Sequence, residues 1–220
     1  MLGVYNYTVI LTYLGMISSF TGMIFTFNGN LKLALLCLMI AGLLDMFDGK
    51  VASFKKNRTD FEKNFGIQID SFADLISYGV LASLIIFRFC IFRNSEVYET
   101  SCFMKYAVSV VCCLYTLCSL IRLSYFNVDE QDRQTKTDEV RSEYKGLPVT
   151  SSAVIIPALF IVFTCAKVPE HAMEIAGMAL LIVMGLAFIT PFKLRKPHTV
   201  GKTILITIGI SELIFFALMK

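Results

Sequence analysis

Residues 45–74 read DMFDGKVASFKKNRTDFEKNFGIQIDSFAD and hold four aspartates at helical spacing in largely apolar surroundings. Asp45 and Asp48 are three residues apart, and Asp70 and Asp74 are four apart, so each pair projects from one helix face. A carboxylate within a membrane span is costly and indicates a functional site. Two such helices side by side would bring four anions together, and these anions need cations. All-oxygen ligands favour a hard divalent metal ion such as Mg²⁺.

The composition predicts an integral membrane protein. The chain is 56% hydrophobic and its mean hydropathy is +0.68, whereas soluble domains are roughly 45–50% apolar. Apolar stretches of about 20 residues, long enough to cross the bilayer core, recur along it. They predict an all-α, polytopic membrane helical bundle of six to eight transmembrane helices, forming one domain over 1–220. The seven predicted spans are 8–27, 31–53, 67–92, 104–126, 150–167, 172–190 and 201–219.

Lysines and arginines are concentrated on one side of the predicted membrane. The loops after the second, fourth and sixth spans together hold twelve of them. The segments on the opposite side hold five: Lys32, Arg93, Lys105, Lys167 and Lys220. Because short basic loops stay in the cytoplasm, we predict a cytoplasmic N-terminus. All four aspartates then lie near the cytoplasmic side of the cell membrane.

Other patterns exclude several classes of function. The formal net charge is only +3, and basic residues do not alternate with aromatics, so no nucleic-acid partner is predicted. The seven cysteines lie mostly within spans and have neither zinc spacing nor a disulfide framework. The polar run 127–145 is typical of a solvated loop.

The segment that opens this section resembles a family signature. Reduced to its fixed positions it is D-x2-D-G-x2-A, a basic polar loop, then G-x3-D-x3-D. This pattern resembles that of the CDP-alcohol phosphatidyltransferases, membrane enzymes that transfer a phosphatidyl or related group from a CDP-activated donor to an alcohol. The resemblance covers roughly residues 5 to 160. It implies two divalent ions, Mg²⁺ or Mn²⁺, and a homodimer in the lipid bilayer.

The resemblance also implies roles for individual residues. Asp74, which matches the fourth aspartate of the family, would be the catalytic general base on the acceptor hydroxyl. The implied metal ligands are Asp45, Asp48, Asp70 and Asp74. The implied CDP-donor contacts are Asp45, Asp48, Gly49, Ala52, Gly66 and Asp70. Glycine costs about 1 kcal/mol relative to alanine inside a helix. Beside carboxylates this favours close approach of a flat ligand, such as a cytosine ring, over the alternative of small-residue helix packing.

Two features depart from the family pattern. The family usually has an arginine directly after the alanine, where it would meet the donor diphosphate, and this chain has Ser53. Twelve residues then separate Ser53 from Gly66, a longer spacer than is usual. The candidates for supplying the missing charge from this loop are Lys50, Lys55, Lys56 and Arg58.

A weaker resemblance lies upstream of the first span. Asn6-Tyr7-Thr8 is similar to the start that many family members have near the nucleotide. An ordinary helix N-cap by Asn6 or Thr8 explains the same residues equally well.

Three further stretches resemble segments of the phosphatidylserine synthases within this family. They are IDSFADLISYGV (69–80), IRLSYFNV (121–128) and EYKGLPVTSSA (143–153). The resemblance implies that CDP-diacylglycerol reacts with L-serine to give phosphatidylserine and CMP. The candidate acceptor or phosphate contacts are Arg122, Asn127 and Lys145. A salt bridge to loop acids such as Asp129 or Glu130 is an equal alternative for Arg122.

Two other functions stay open. The acceptor could instead be glycerol 3-phosphate or an inositol derivative, which would need a cluster of several basic side chains, and the sequence does not decide this. A divalent cation transporter would need polar residues at several membrane depths. The aspartates cluster near one face, which disfavours transport.

Overall fold

The computed structural model describes residues 2–92, 102–136, 143–195 and 199–218, and most of them are helical. The α-helices are α1 (Ile10–Phe27), α2 (Leu31–Ser53), α3 (Asp60–Asp74), α4 (Ala82–Phe92), α5 (Cys102–Lys136), α6 (Ser152–Ala166), α7 (Glu170–Ile189) and α8 (Thr199–Leu218). A π-helical segment, Leu75–Leu81, joins α3 to α4 without a break. The predicted all-α class is confirmed. The described part of the chain also has two short strands, β1 (Glu143–Lys145) and β2 (Lys193–Arg195), which pair antiparallel.

The helices correspond to the predicted spans, since α3, the π-helical segment and α4 form one continuous rod. Among the described residues, five stretches are long and apolar enough to cross a membrane: Ile10–Phe27, Asp60–Ile91, Phe103–Asp132, Val149–Ala166 and Ala172–Ile189. Helix α2 is 23 residues long but carries Lys32, Asp45, Asp48 and Lys50. In α8 a shorter apolar stretch, Thr207–Phe216, was found among the described residues. The protein is therefore a polytopic membrane bundle.

Two boundaries differ from the sequence-based expectation. The third predicted span, 67–92, corresponds to the rod that α3 opens, and this rod begins at Asp60. The helix starts early because Thr59 and Glu62 form a capping box. The prediction of a solvated loop over 127–145 is wrong for 127–136, where α5 continues to Lys136. That stretch is polar, but it contains neither glycine nor proline and so does not interrupt a helix.

Helices α1 and α2 form a tight antiparallel hairpin, which turns at Gly29 with a φ of +79°. At Gly22 an added Cβ would lie 2.9 Å from side-chain atoms of both Cys37 and Leu81. Only glycine allows α1 to approach α2 and the π-helical segment this closely. This contact fixes α1 as a third wall beside the aspartate-bearing helices.

The core lies where α2 and the π-helical segment meet α4 to α7. Its largest fully buried side chains are Tyr78, Tyr115, Phe188, Leu35, Leu38, Leu81, Ile85, Ile86, Ile156 and Leu181. The outside of the bundle is also apolar, with Phe20, Phe103 and Val183 more than half exposed. Such a surface is costly in water and suits contact with lipid.

Candidate metal and donor site

Three of the four aspartates converge between α2 and α3. One carboxylate oxygen from each of Asp45, Asp70 and Asp74 lies within 4.8 Å of the others. Two oxygens bound to the same Mg²⁺ are about 3–4 Å apart, so small side-chain movements would bring these three onto one ion. The structure thus places the two predicted pairs side by side, as their spacing indicated.

Asp48 lies one turn further along α2 and has its own partner. Its Oδ2 accepts a hydrogen bond of 3.1 Å from the Thr12 hydroxyl of α1. The Asp48 carboxyl is also adjacent to that of Asp70. Asp48 is therefore at the rim of the cluster, held by α1.

The four carboxylates line one cleft, which is partly open to solvent and has a cavity volume of about 10 Å³. Helix α1 contributes a wall of the cleft that the sequence did not suggest. The lining residues are Leu11, Thr12, Gly15, Ala41, Asp45, Asp48, Asp70, Ala73, Asp74, Ser77 and Tyr78. Small residues opposite the carboxylates leave a space about the size of one water molecule or metal ion.

The π-helical segment begins directly after Asp74 and forms the floor of the cleft through Ser77 and Tyr78. The Ser19 and Ser77 hydroxyls are joined by a 2.6 Å hydrogen bond. Helix α5 supports the segment, because the Tyr115 hydroxyl donates to the Tyr78 carbonyl at 2.9 Å. Single π-helical turns inside α-helices occur frequently at functional sites.

The charge of the four carboxylates is not balanced by any lysine or arginine that the structure describes. Within the described ranges, no lysine or arginine forms an ion pair with Asp45, Asp48, Asp70 or Asp74. These carboxylates are only partly buried, but a group of them without a compensating cation is still unfavourable. A cluster of oxygen donors in this state fits a divalent metal ion.

The predicted donor-binding residues lie at the open end of α2 and in the first turns of α3. At Gly49 an added Cβ would meet nothing within 4 Å, so the surface there is open. Ser53 is exposed and its hydroxyl donates to the Lys50 carbonyl at 2.7 Å. At Gly66 an added Cβ would lie 2.8 Å from Nη2 of Arg58. The space over Gly66 is thus filled by a guanidinium group.

The loop between α2 and α3 is organised by Glu62. Its carboxylate accepts hydrogen bonds from Nζ of Lys55 at 2.6 Å, Nδ2 of Asn6 at 2.9 Å and the backbone N–H of Thr59 at 3.1 Å. Neither Asn6 nor Thr8 is the N-cap of α1, which begins at Ile10. The Asn6 amide instead ties the N-terminal segment to the start of α3.

The three candidate acceptor contacts each bind protein groups. Nε of Arg122 donates to the Leu147 carbonyl at 3.3 Å, and its guanidinium lies over the Phe126 ring. The Asn127 side chain exchanges hydrogen bonds with Ser71, next to Asp70. The structure therefore brings Asn127 closer to the aspartate helix than the sequence indicated.

Lys145 forms an ion pair of 2.8 Å with Asp129 and a 3.3 Å hydrogen bond with the Tyr125 hydroxyl. The hydrogen bond that Lys145 donates to Asp129, followed by the one it donates to Tyr125, raises the pKa of Lys145 above its ordinary value. The lysine is therefore a permanent cation near the end of α5 at neutral pH.

Comparison with known proteins identifies the class. Residues 5–190 match the CDP-alcohol phosphatidyltransferase family, and the chain belongs to it. The resemblance found in the sequence is thus confirmed.

Three curated relatives are similar to this chain over most of its length. The chain is 28% identical to the archaetidylserine synthase of Methanothermobacter thermautotrophicus, over 79% of this chain and 65% of that protein. It is 24% identical to the CDP-diacylglycerol–serine O-phosphatidyltransferase of Bacillus subtilis, over 77% of each chain. The protein of the same name from Helicobacter pylori is 26% identical, over 87% of this chain and 70% of its own length. The chain spans just under two thirds of the archaeal relative.

Proposed function

We propose that this protein catalyses the metal-dependent transfer of a phosphatidyl group from CDP-diacylglycerol to L-serine, giving phosphatidylserine and CMP. The observation that carries the proposal is the convergence of Asp45, Asp70 and Asp74 on one cleft in a chain of this family. The names of the relatives supply serine as the acceptor.

Two divalent ions, Mg²⁺ or Mn²⁺, would be held by Asp45, Asp48, Asp70 and Asp74. When bound, the ions would neutralise the donor diphosphate and the charge that develops on departing CMP. Only through those ions would the carboxylates hold the donor phosphates in the cleft. The open surface at Gly49 leaves room at the end of α2 for the rest of the donor.

We assign the proton transfer to Asp74. Its carboxylate takes the proton of the serine hydroxyl as the serine oxygen attacks the phosphorus that bears diacylglycerol. A new serine O–P bond forms, the bond from that phosphorus to the CMP oxygen breaks, and CMP leaves. Asp74 is suited to this role because it is the last residue of α3 and adjoins the widened π-helical turn.

The side of the membrane and the assembly also belong to this proposal. The distribution of lysine and arginine among the loops supports a site on the cytoplasmic side. Serine would reach the site from the cytoplasm, and the donor would enter laterally from the bilayer. We propose a homodimer on the basis of the family resemblance.

The choice between serine and a phosphate-bearing acceptor depends on the basic residues among the candidate acceptor contacts. A phosphate-bearing acceptor would need several available cations, whereas Arg122 and Lys145 are each engaged with protein groups. The test is CMP release by purified protein from CDP-diacylglycerol with serine, glycerol 3-phosphate or inositol 1-phosphate. Release with serine alone supports the proposal. Release only with one of the other two would reassign the acceptor, and no release with any acceptor would contradict transferase activity.

A further inference from the structure

We infer that Arg58, in the loop between α2 and α3, contacts the diphosphate of the CDP-linked donor and supplies the charge that is missing at Ser53. This inference rests on the proposed function, since it concerns the donor site of that reaction. Arg58 is one of the four basic residues that could supply this charge, the others being Lys50, Lys55 and Lys56.

The Arg58 side chain places a cation against the first half of α3, over Gly66. Its Nη2 lies 2.8 Å from where a Cβ would stand at Gly66, so the guanidinium occupies the surface that this glycine leaves free. Gly66 is four residues before Asp70, on the same face of α3. Arg58 is therefore one helical turn from a predicted metal ligand.

The guanidinium is short of partners. Nη2 donates to the Glu62 carbonyl at 3.3 Å. Nε is buried and has no hydrogen-bond partner among the described residues. Arginine has five N–H donors in a rigid fork that matches a phosphate group. A phosphate held by the neighbouring carboxylates and their metal would satisfy this unused capacity.

The other three candidates fit this role less well. Lys55 is already paired with Glu62 at 2.6 Å, in the network that includes Asn6. Lys50 and Lys56 are exposed, and neither lies over α3 in the described contacts. The same network fixes both ends of the loop, since Glu62 also caps α3. The loop held in this way positions Arg58 against Gly66.

The first experiment measures binding of CDP-diacylglycerol to purified protein in detergent by calorimetry with Mg²⁺ present and serine absent. Arg58→Ala should weaken donor binding by about 10- to 100-fold, the range for charge-assisted hydrogen bonds. Arg58→Lys should lose part of this, because it keeps the charge but not the fork. Lys63→Ala is the matched control: Lys63 is an exposed cation on α3 paired with Asp60, and its removal should not change binding.

The second experiment is a double-mutant cycle with Gly66→Ala. The new methyl group would displace the guanidinium, while α3 gains a better helix former. Gly66→Ala should weaken donor binding in the unmodified protein and have little further effect in Arg58→Ala. Additive losses would mean that Gly66 contacts the nucleotide independently and would overturn the proposed role of the contact. Unchanged binding in both Arg58 variants would overturn the role of Arg58, with the transferase proposal intact. No donor binding by the unmodified protein would overturn both.

Discussion

Asp70 is surrounded by three other carboxylates, with Asp45 and Asp74 beside it and Asp48 adjacent. Ionised carboxylates at this separation in a low-dielectric region repel one another strongly. A divalent ion bound between the carboxylates attracts each of them, and this attraction outweighs their mutual repulsion. The cluster therefore destabilises the protein without metal, and we expect a bound divalent ion to stabilise it.

Asp70→Asn should abolish metal binding and reduce CMP formation by at least about 100-fold, because it removes a ligand and the charge that the ion requires. Mn²⁺ affinity, measured by electron paramagnetic resonance, and serine-dependent CMP release would check both effects. Asp60→Asn is the control, since Asp60 is exposed at the start of the same helix and pairs only with Lys63 among the described residues. Near-normal Mn²⁺ affinity in Asp70→Asn would sink the shared metal site.

Asp74→Asn should separate turnover from binding. General-base catalysis contributes about 10²–10⁴-fold in rate, so this variant should lose most CMP release. It should still bind CDP-diacylglycerol with Mg²⁺, since the other three aspartates remain. Single-turnover kinetics and donor calorimetry would measure the two quantities. Loss of donor binding together with turnover would make Asp74 chiefly a metal ligand.

At the scale of elements, the contact of α2 with α6 depends on glycine. A Cβ added at Gly42 would lie 2.7 Å from that of Ala153, a backbone-fixed atom that cannot swing away. Asp45 and Asp48 follow Gly42 on α2, so the tilt of this helix determines where they lie relative to α3.

Gly42→Ala should force α2 and α6 apart and cost about 1–3 kcal/mol, the usual range for overpacking. The thermal midpoint in detergent should fall and CMP release should fall with it. Gly209→Ala is the control, because a Cβ at Gly209 meets nothing within 4 Å of the described atoms. Equal thermal midpoints in the two variants would show that the α2–α6 contact is not tight.

Sequence spacing predicted the elements that carry the carboxylates, because i,i+3 and i,i+4 positions share a helix face wherever the helix lies. It could not predict partners far along the chain. The Thr12–Asp48 bond joins residues 36 apart, and the Asn6–Glu62 bond joins residues 56 apart. The π-helical turn after Asp74 was also missed, since Leu75–Leu81 has an ordinary apolar helical sequence and takes its geometry from packing against α1 and α5.

For the whole molecule, the distribution of charge among the loops predicts the topology. Lys56 is exposed in the α2–α3 loop, and Lys167 is exposed at the end of α6. A membrane-impermeant maleimide applied to intact cells should label Lys167→Cys but not Lys56→Cys, in a variant whose native cysteines are replaced. Labelling of Lys56→Cys before permeabilisation would place the aspartate site on the outer side. The extent of the single domain over 1–220 stays a prediction.

The most direct measurement of the central claim is the stoichiometry of the proposed transfer in liposomes that contain CDP-diacylglycerol and purified protein. With labelled serine, we predict one phosphatidylserine formed for each CMP released. Both products should disappear with EDTA and return with Mg²⁺ or Mn²⁺, because the carboxylates of Asp45, Asp70 and Asp74 can bind the donor phosphates only through a cation. Serine-containing lipid that forms at an undiminished rate in EDTA, or CMP that appears without it, would contradict the account.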